Sequence, residues 1–155
     1  MQFSLWCLAG VPLMIGADIR KLNPRMKELL LNRELIRIDQ DVECRPPYLV
    51  GKRSVMVPEE DRENAVEPLR AVKDQLYTFI KHLSDHEFVI ACYNLFDEER
   101  EISCIFADAG VPYTSGYGFA MRDIFTGEDL GVKKDYYIVS VPGHDCRLFL
   151  CRLAK

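Results

Sequence analysis

An uncharged stretch near the start of the chain restricts its fold more than any other feature. Residues 3–17 read FSLWCLAGVPLMIGA and contain no Asp, Glu, Lys or Arg. A membrane-spanning helix needs about 20 apolar residues, and this stretch is shorter and has Pro12 in its middle. A signal peptide needs a positively charged start, which Met1 and Gln2 do not supply. We therefore expect a buried element of a globular fold and no membrane partner.

Pro12 divides this stretch into two predicted elements. Proline lacks the N–H that continues a helix, so we expect a helix end over residues 3–9 and a buried strand over residues 12–17. A strand without polar side chains is typical of a parallel sheet that is covered on both faces. The first part of the chain is therefore predicted to be α/β.

A helix is predicted to follow this strand. Asn23 can accept an N–H bond as an N-cap, and Pro24 suits the first helical position. We expect Asn32 to end the helix as a left-handed C-cap. A short apolar stretch, residues 35–38, then precedes Asp39-Gln40-Asp41.

The pattern changes after residue 41, and three regions are predicted. Residues 1–41 form the α/β segment, and residues 42–75 form a linker and surface insertion. The insertion includes a short strand at 54–57 and a turn or two of helix over 64–73, which Pro68 interrupts. Residues 76–155 form a strand-rich domain.

Short strands separated by turn sequences dominate this last region. They are predicted at 76–83, 88–95, 101–106, 119–125, 135–141 and 146–153. Such spacing is typical of an antiparallel β-sandwich, here expected with Greek-key-like connections. Both faces of strand 88–95 are apolar, which predicts a central strand covered on two sides. The fold class is therefore mainly β.

Charge and metal-ligand content exclude several functions. The chain has 20 Lys+Arg against 24 Asp+Glu, so no basic surface for nucleic acid is expected. It has only three histidines, and its six cysteines form no CxxC pair, so we expect no metal and no cofactor. Because we identify no secretion signal, we expect a reducing, cytoplasmic compartment.

The histidines have a plainer interpretation than catalysis. His82 and His86 are four residues apart, but they lie at a strand end and in its turn, where this spacing does not bring the rings together. His144 and Asp145 are adjacent in a predicted hairpin turn, where an Asp side chain bonds its own backbone. We interpret all of them as surface or turn residues.

The cysteines are predicted to be free. Cys146 and Cys151 have opposite parity along one strand, so they face opposite sides of the sheet. Cys92 and Cys104 are expected to face each other across the hairpin at 97–100. Either a disulfide or two buried free thiols fits that placement, and we favour free thiols.

Asp18 is the one residue with an enzymatic character. It follows the predicted strand 12–17 directly, and barrel enzymes place catalytic side chains at the carboxyl ends of parallel strands. The alternative is structural: Asp18 caps the next loop or pairs with Arg20. We favour the structural interpretation and assign no catalytic residue.

The order of several short motifs resembles glycoside hydrolase family 27, the α-galactosidases. In the first segment the matching residues are Leu5-Trp6, Pro12-Leu13, Gly16-Ala17-Asp18, Asn32 and Gln40-Asp41. Further on, KHLSDHEFVIACYNLFDEE is similar to a hairpin of the family's C-terminal β-domain. MRDIFTGEDLG and VPGHDCRLFLCRL resemble the last strands of that domain.

This resemblance implies that residues 1–41 are the end of a (β/α)8 barrel: part of its seventh helix, then its eighth strand and eighth helix. The family's enzymes are retaining glycosidases whose two catalytic aspartates lie on earlier strands. Those motifs are absent here, so no catalytic residue is carried over. The insertion at 42–75 and His86, which stands where the family often has a turn glycine, depart from the pattern.

Two functions remain open from the sequence. The first is the C-terminal part of an α-galactosidase, whose sandwich supports a barrel that acts on α-galactosides, with the rest of that barrel as partner. In that case several apolar side chains would be exposed and favour self-association; they are Phe3, Leu5, Trp6, Leu8, Leu13 and Ile15. The second is a stand-alone sandwich that acts as a binding or interaction module, carbohydrate being one such ligand, with Tyr113, Tyr117, Tyr136 and Tyr137 as candidates. Adjacent tyrosines face opposite sides of a strand, so we favour packing for them.

Overall fold

Three helices precede eight strands in the computed structural model, which describes residues 1–56 and 72–155. The helices are α1 (Gln2–Ala9), α2 (Pro24–Leu30) and α3 (Arg33–Asp39). The strands are β1 (Tyr48–Met56), β2 (Val72–His82), β3 (Glu87–Asn94), β4 (Arg100–Ile105), β5 (Gly118–Asp123), β6 (Asp129–Lys133), β7 (Tyr136–Val141) and β8 (Asp145–Ala154). None of the helices in these two ranges is long and apolar enough to cross a membrane.

The strands form two antiparallel sheets, which confirms the predicted sandwich. The large sheet has six strands in the order β1-β2-β3-β8-β5-β6, and the small sheet pairs β4 with β7. The small sheet covers one face of the large sheet. Helices α1 and α3 pack on the other face. The order of layers is therefore helices, large sheet, small sheet.

Strand β3 lies between β2 and β8 and is buried along its whole length. Phe88, Ile90 and Cys92 face the small sheet, whereas Val89 and Tyr93 face the helices. Successive side chains of a strand point to opposite faces, so one strand contributes to both cores. The prediction of a central strand covered on two sides is confirmed.

The first segment is helical where the structure describes regular elements in it. Helix α1 confirms the helix predicted over residues 3–9. The strand predicted over 12–17 is wrong: these residues have no strand pairing. A parallel strand needs a neighbour for its hydrogen bonds, and every strand pair in the described chain is antiparallel and lies elsewhere.

Asn23 and Asn32 both cap helices at their N-termini. Asn23 Oδ1 accepts the N–H of Met26, as predicted, with Pro24 at the first helical position. The C-cap assigned to Asn32 is wrong, because its φ is −64° and its Oδ1 accepts the N–H groups of Glu34 and Leu35. The apolar stretch at 35–38 therefore belongs to α3.

The stretch predicted as a linker contributes strands to the large sheet. Strand β1 takes up residues 48–56 and pairs with β2, so the predicted short strand at 54–57 begins six residues too late. Its last residue and most of the predicted helical turn at 64–73 lie outside the described residues, and residues 72–73 belong to β2. The three-region division at 41 and 75 stays a prediction.

All six cysteines are free, as predicted. Cys146 and Cys151 lie in the two different cores, which confirms the parity argument. Cys92 and Cys104 do meet, with their Sγ atoms 3.2 Å apart. The expected cross-hairpin placement is wrong, however, because β3 and β4 belong to different sheets and the two sulfurs face each other across the sandwich.

The turn between β2 and β3 holds two non-glycine residues in the left-handed region. Asp85 and His86 have φ angles of 60° and 59°, and the Glu87 N–H donates to the Ser84 carbonyl. Hairpin turns of this kind favour glycine, because a Cβ is strained at positive φ. His86 is exposed, so its side chain offers little compensation.

We expect His86→Gly to raise the free energy of unfolding by about 0.5 to 1 kcal/mol, because glycine relieves the strain at positive φ. Urea denaturation followed by circular dichroism measures the change. His86→Ala is the matched control, since it removes the same imidazole but keeps a Cβ, and it should give no gain. Equal stabilisation by both variants would contradict the strain argument.

Candidate functional site

The strongest candidate site is the surface where the helical segment contacts the large sheet, which we call the docking interface. Its apolar centre is formed by Cys7 and Leu8 of α1, Leu35 and Ile38 of α3, and the side chains on the facing side of β3 and β8. The four helical side chains are completely buried. The helical segment is therefore an integral layer of the fold.

A polar contact fixes α1 within this interface. Ser4 is buried, and its Oγ lies 3.4 Å from the Tyr93 hydroxyl and 3.2 Å from Cys146 Sγ. The Ser4 hydroxyl also lies 2.6 Å from the Met1 carbonyl, to which it can donate. Burial raises the pKa of Tyr93, so this hydroxyl stays protonated and available for hydrogen bonding.

Glu87 is the centre of an ion-pair network that joins α3 to the sheet. Its carboxylate is 6% exposed and accepts hydrogen bonds from Arg37 Nη1 at 2.7 Å and from Arg152 Nε at 2.8 Å. Arg37 also donates to Glu34, which lies 3.2 Å from Arg122 Nη2. Buried carboxylates require such partners, so this network defines how α3 lies across β3, β5 and β8.

Asp41 connects the end of the helical segment to the β2–β3 turn. Its Oδ2 accepts the Ser84 N–H at 2.9 Å and the Ser84 hydroxyl at 2.7 Å, and its Oδ1 accepts the Glu43 N–H. Burial by itself would raise the pKa of Asp41, but these hydrogen bonds outweigh it and lower the pKa. The folded state therefore favours the carboxylate form.

Lys81 lies in the same interface and is completely buried. No hydrogen-bond partner of its Nζ is found in the described residues. A Cβ added at Gly10 would lie 3.2 Å from that nitrogen, so the backbone end of α1 covers it closely. Burial lowers the pKa of Lys81, while the carboxylates of Asp41 and Asp39 act in the opposite direction.

Asp39 differs from Asp41 although the two residues are neighbours in space. Its Oδ1 is buried and has no hydrogen-bond partner within the described chain. Burial raises the pKa of Asp39, with Lys81 opposing that change. The carboxylate of Asp39 is therefore disfavoured by folding, whereas that of Asp41 is favoured.

The helical segment also exposes several apolar side chains, which together we call the outer apolar face. It comprises the exposed side chains Leu5, Trp6, Val11, Met14, Ile15 and Ile19. Exposure was predicted correctly for Leu5, Trp6 and Ile15. It was wrong for Leu8, which is completely buried, and for Phe3 and Leu13, which are partly buried, because the docking interface covers them.

Asp18 lies on an exposed loop between α1 and α2. It caps the short 3₁₀ helix Ile19–Lys21, and its carboxylate accepts hydrogen bonds from Arg20 N, Nε and Nη2 at 2.9–3.1 Å. The Arg20 guanidinium lowers the pKa of Asp18. This is the capping and pairing geometry of the structural interpretation, and the position of Asp18 at a barrel rim stays a prediction.

The histidines occupy the surface positions that were predicted. His82 Nε2 lies 3.1 Å from the Tyr48 hydroxyl, and His144 Nε2 lies 2.7 Å from Asp97 Oδ1 with both side chains exposed. Asp145 accepts the N–H of Cys146. Within residues 1–56 and 72–155, no three histidine, cysteine or carboxylate side chains lie close enough to hold a metal ion.

The tyrosines suggested for carbohydrate binding do not form one surface. Tyr136 is exposed, whereas Tyr137 is partly buried against Phe149. Tyr113 and Tyr117 are exposed, and in the described residues neither ring stacks on the other or on Tyr136.

Sequence profiles of known families agree with this architecture. The profile described as "Alpha galactosidase C-terminal beta sandwich domain" matches residues 73–151, about half of the 155-residue chain. The profile described as "Alpha galactosidase A" matches residues 1–41. The fold is thus a β-sandwich joined to a helical piece of a glycosidase. The chain belongs to the α-galactosidase family, glycoside hydrolase family 27.

Curated relatives are similar to the chain over most of its length. Alpha-galactosidase 3 of Arabidopsis thaliana is 26% identical over 150 residues, which cover 96% of this chain and 30% of the relative. The probable alpha-galactosidase B of Aspergillus clavatus is 29% identical and is covered to 33%. The chain therefore spans about a third of the length of these relatives.

Solved structures show the same fold. The α-galactosidase of Saccharomyces cerevisiae in complex with raffinose has a TM-score of 0.79 at 14% identity, covering 98% of this chain and 42% of that one. α-Galactosidase I of Mortierella vinacea has a TM-score of 0.73 at 20% identity, covering 96% and 34%.

Two neighbouring aspartates are expected to respond in opposite directions to the same substitution. Asp41→Asn replaces an acceptor oxygen with an NH₂ group facing N–H or O–H donors, and should lower the free energy of unfolding at pH 7 by about 1–2 kcal/mol. Asp39→Asn removes a carboxylate that folding disfavours, and should leave stability unchanged or raise it by less than about 1 kcal/mol.

The pH dependence checks the sign of each effect. The pKa of Asp41 is lowered by folding, so its stabilisation is present above the ordinary value of 3.8 and is lost as pH falls through the folded pKa. The pKa of Asp39 is raised, so its carboxylate destabilises as pH rises through the folded pKa. Urea denaturation at several values between about pH 3 and about pH 7 measures both effects. For each variant, the difference in the free energy of unfolding from the unchanged chain should become smaller at low pH. A constant difference for Asp41→Asn would contradict this assignment.

Proposed function

We propose that this chain acts as the C-terminal part of a retaining α-galactosidase-like glycoside hydrolase, in which the sandwich supports the catalytic barrel. The observation that carries this proposal is the two-sided helical segment. One side is buried in the docking interface, and the other presents the outer apolar face. A segment that matches the family's catalytic region is thereby held on the sandwich with an apolar surface facing outward.

The rest of the barrel is the partner that we propose for the outer apolar face. Apolar surface of this kind marks an interaction site, and Trp6 and Ile15 are large side chains that are about half exposed. Asp18 lies in the same stretch, residues 11–19, as Val11, Met14 and Ile15 of this face. A barrel bound there would place Asp18 at its rim.

The proposed substrates of the complete enzyme are α-linked galactosides. Support comes from the relatives, which are named α-galactosidases, and from the yeast enzyme, whose structure was determined with raffinose. A retaining mechanism uses two carboxyl groups about 5–5.5 Å apart, one as nucleophile and one as acid/base. Within the described residues, the hydrogen-bonding and ion-pair partner found for Asp18 is Arg20, so no second carboxyl group is found paired with Asp18 there.

We expect the purified chain to show no turnover of an aryl α-galactoside above background, because a single carboxylate that is paired with Arg20 cannot provide both steps. Release of the phenol measures the reaction. Asp18→Asn serves as the matched control, and its background should equal that of the unchanged chain. Turnover that survives repurification and disappears in Asp18→Asn would contradict the proposal and make Asp18 catalytic.

The outer apolar face should drive self-association when the chain is studied alone. We expect sedimentation velocity to show concentration-dependent association, and Trp6→Glu to reduce it at least about threefold by placing a charge in the face. Val132→Glu is the control, because Val132 on β6 is 46% exposed and Trp6 is 43% exposed. Equal effects of the two substitutions would mean that association does not use this face.

A further inference from the structure

Cys92 and Cys104 bring two thiols together between the sheets of the sandwich. Cys92 lies in β3, opposite Thr78 of β2 and Arg147 of β8. Cys104 lies in β4 of the small sheet, opposite Tyr137. Their Sγ atoms are 3.2 Å apart, so one thiol contacts the other across the core.

This contact differs from the surroundings of the other cysteines. It is the only sulfur–sulfur hydrogen bond within residues 1–56 and 72–155, the ranges that hold all six cysteines. Cys44 is exposed, Cys146 faces Ser4 in the docking interface, and Cys151 contacts the Phe149 carbonyl. A disulfide has its sulfurs about 2.05 Å apart, so bond formation requires an approach of roughly 1 Å.

We propose that Cys92 and Cys104 are an oxidisable pair that closes into a disulfide between the two sheets when the chain folds in the presence of a small-molecule disulfide. This site is independent of the glycosidase function proposed above. It uses residues of the sandwich alone, and neither thiol lies in the docking interface or near Asp18.

The reaction is thiol–disulfide exchange in two steps. The thiolate of one cysteine attacks a sulfur of oxidised glutathione, whose S–S bond breaks to give a mixed disulfide and one molecule of reduced glutathione. The thiolate of the second cysteine then attacks the protein sulfur of the mixed disulfide and expels the second glutathione. The two cysteines lose two electrons and two protons, which end on the two glutathione thiols.

Folding is the stage at which this exchange takes place. In the folded chain the two residues are 0% and 4% exposed, and the hydrogen bond with Cys104 together with burial raises the pKa of Cys92. Both factors suppress the reactive thiolate. In the unfolded chain the thiols are accessible, and their separation of 12 residues makes loop closure easy.

The bond would strengthen the attachment of the small sheet. This sheet has two strands, and a key polar link between it and the large sheet is the Asn94 amide, which donates to the carbonyls of Val141 and Pro142. A covalent bond from β3 to β4 adds a second link near the carboxyl end of β4. Isolated two-stranded sheets are marginally stable, so the small sheet gains most from such a link.

The test is oxidative refolding in a Cys44→Ser background, which removes the exposed thiol that would form mixed disulfides. The chain is unfolded in denaturant and reducing agent, then refolded by dilution into a mixture of reduced and oxidised glutathione. Free thiols are alkylated and counted, and linked peptides are identified by mass spectrometry. We expect the five remaining thiols to fall by two, with residues 92 and 104 linked and no glutathione attached.

Two further variants in the same background control the assignment. Cys92→Ala should abolish the link, whereas Cys151→Ala, which removes another thiol of the same core, should keep it. Oxidised glutathione added to the already folded chain should form the link at least about tenfold more slowly than refolding does. The proposal is overturned if no thiols are lost on oxidative refolding, or if the linked peptides contain another pair of cysteines.

Discussion

The burial of β3 on both faces is the constraint on which the rest of the structure depends. Side chains alternate along a strand, and here Phe88 and Ile90 on one face are as apolar as Val89 and Ala91 on the other. One covering layer would leave half of these side chains in water. The small sheet and the helical segment are therefore both required, and the docking interface follows from the composition of a single strand.

Charged groups at the edges of this apolar interface determine its geometry. Glu87 starts the β3 row that faces the helices. Of its two partners, Arg152 lies on β8, whereas Arg37 lies on α3 and connects this helix to the carboxylate. Lys81 lies in the corresponding row of β2, beneath Gly10. Buried ion pairs contribute little net stability after desolvation, but a misplaced α3 would leave the buried carboxylate of Glu87 without Arg37. Specific orientation is what these residues add.

Local patterns in the sequence were sufficient to predict the sandwich but not the elements that pack against it. Turn residues on either side identified β3 and β8, and β3 was also recognised by its apolar side chains on both faces; each of these strands pairs within this chain. The prediction of a strand at 12–17 was wrong because such an uncharged stretch forms a strand only between neighbouring strands. The described residues contain no strand that pairs with it. The first part of strand β1 was missed because Gly51, Lys52 and Arg53 interrupt its apolar alternation. In the docking interface, Glu87 and Lys81 were overlooked although each is a charged residue in an otherwise apolar row, which is the signal that identifies them.

The position of Asp18 also depends on the burial of β3. The loop that carries it connects α1 to α2. Of the helices on its two sides in the chain, α1 enters the docking interface through Cys7 and Leu8, and α3 does so through Leu35 and Ile38. Between these anchors, the pair with Arg20 sets the local conformation of Asp18. The burial of β3 thus requires the helices, the helices hold the loop, and the loop presents Asp18 beside the outer apolar face. The proposed support of the barrel by the sandwich would act through this sequence of contacts.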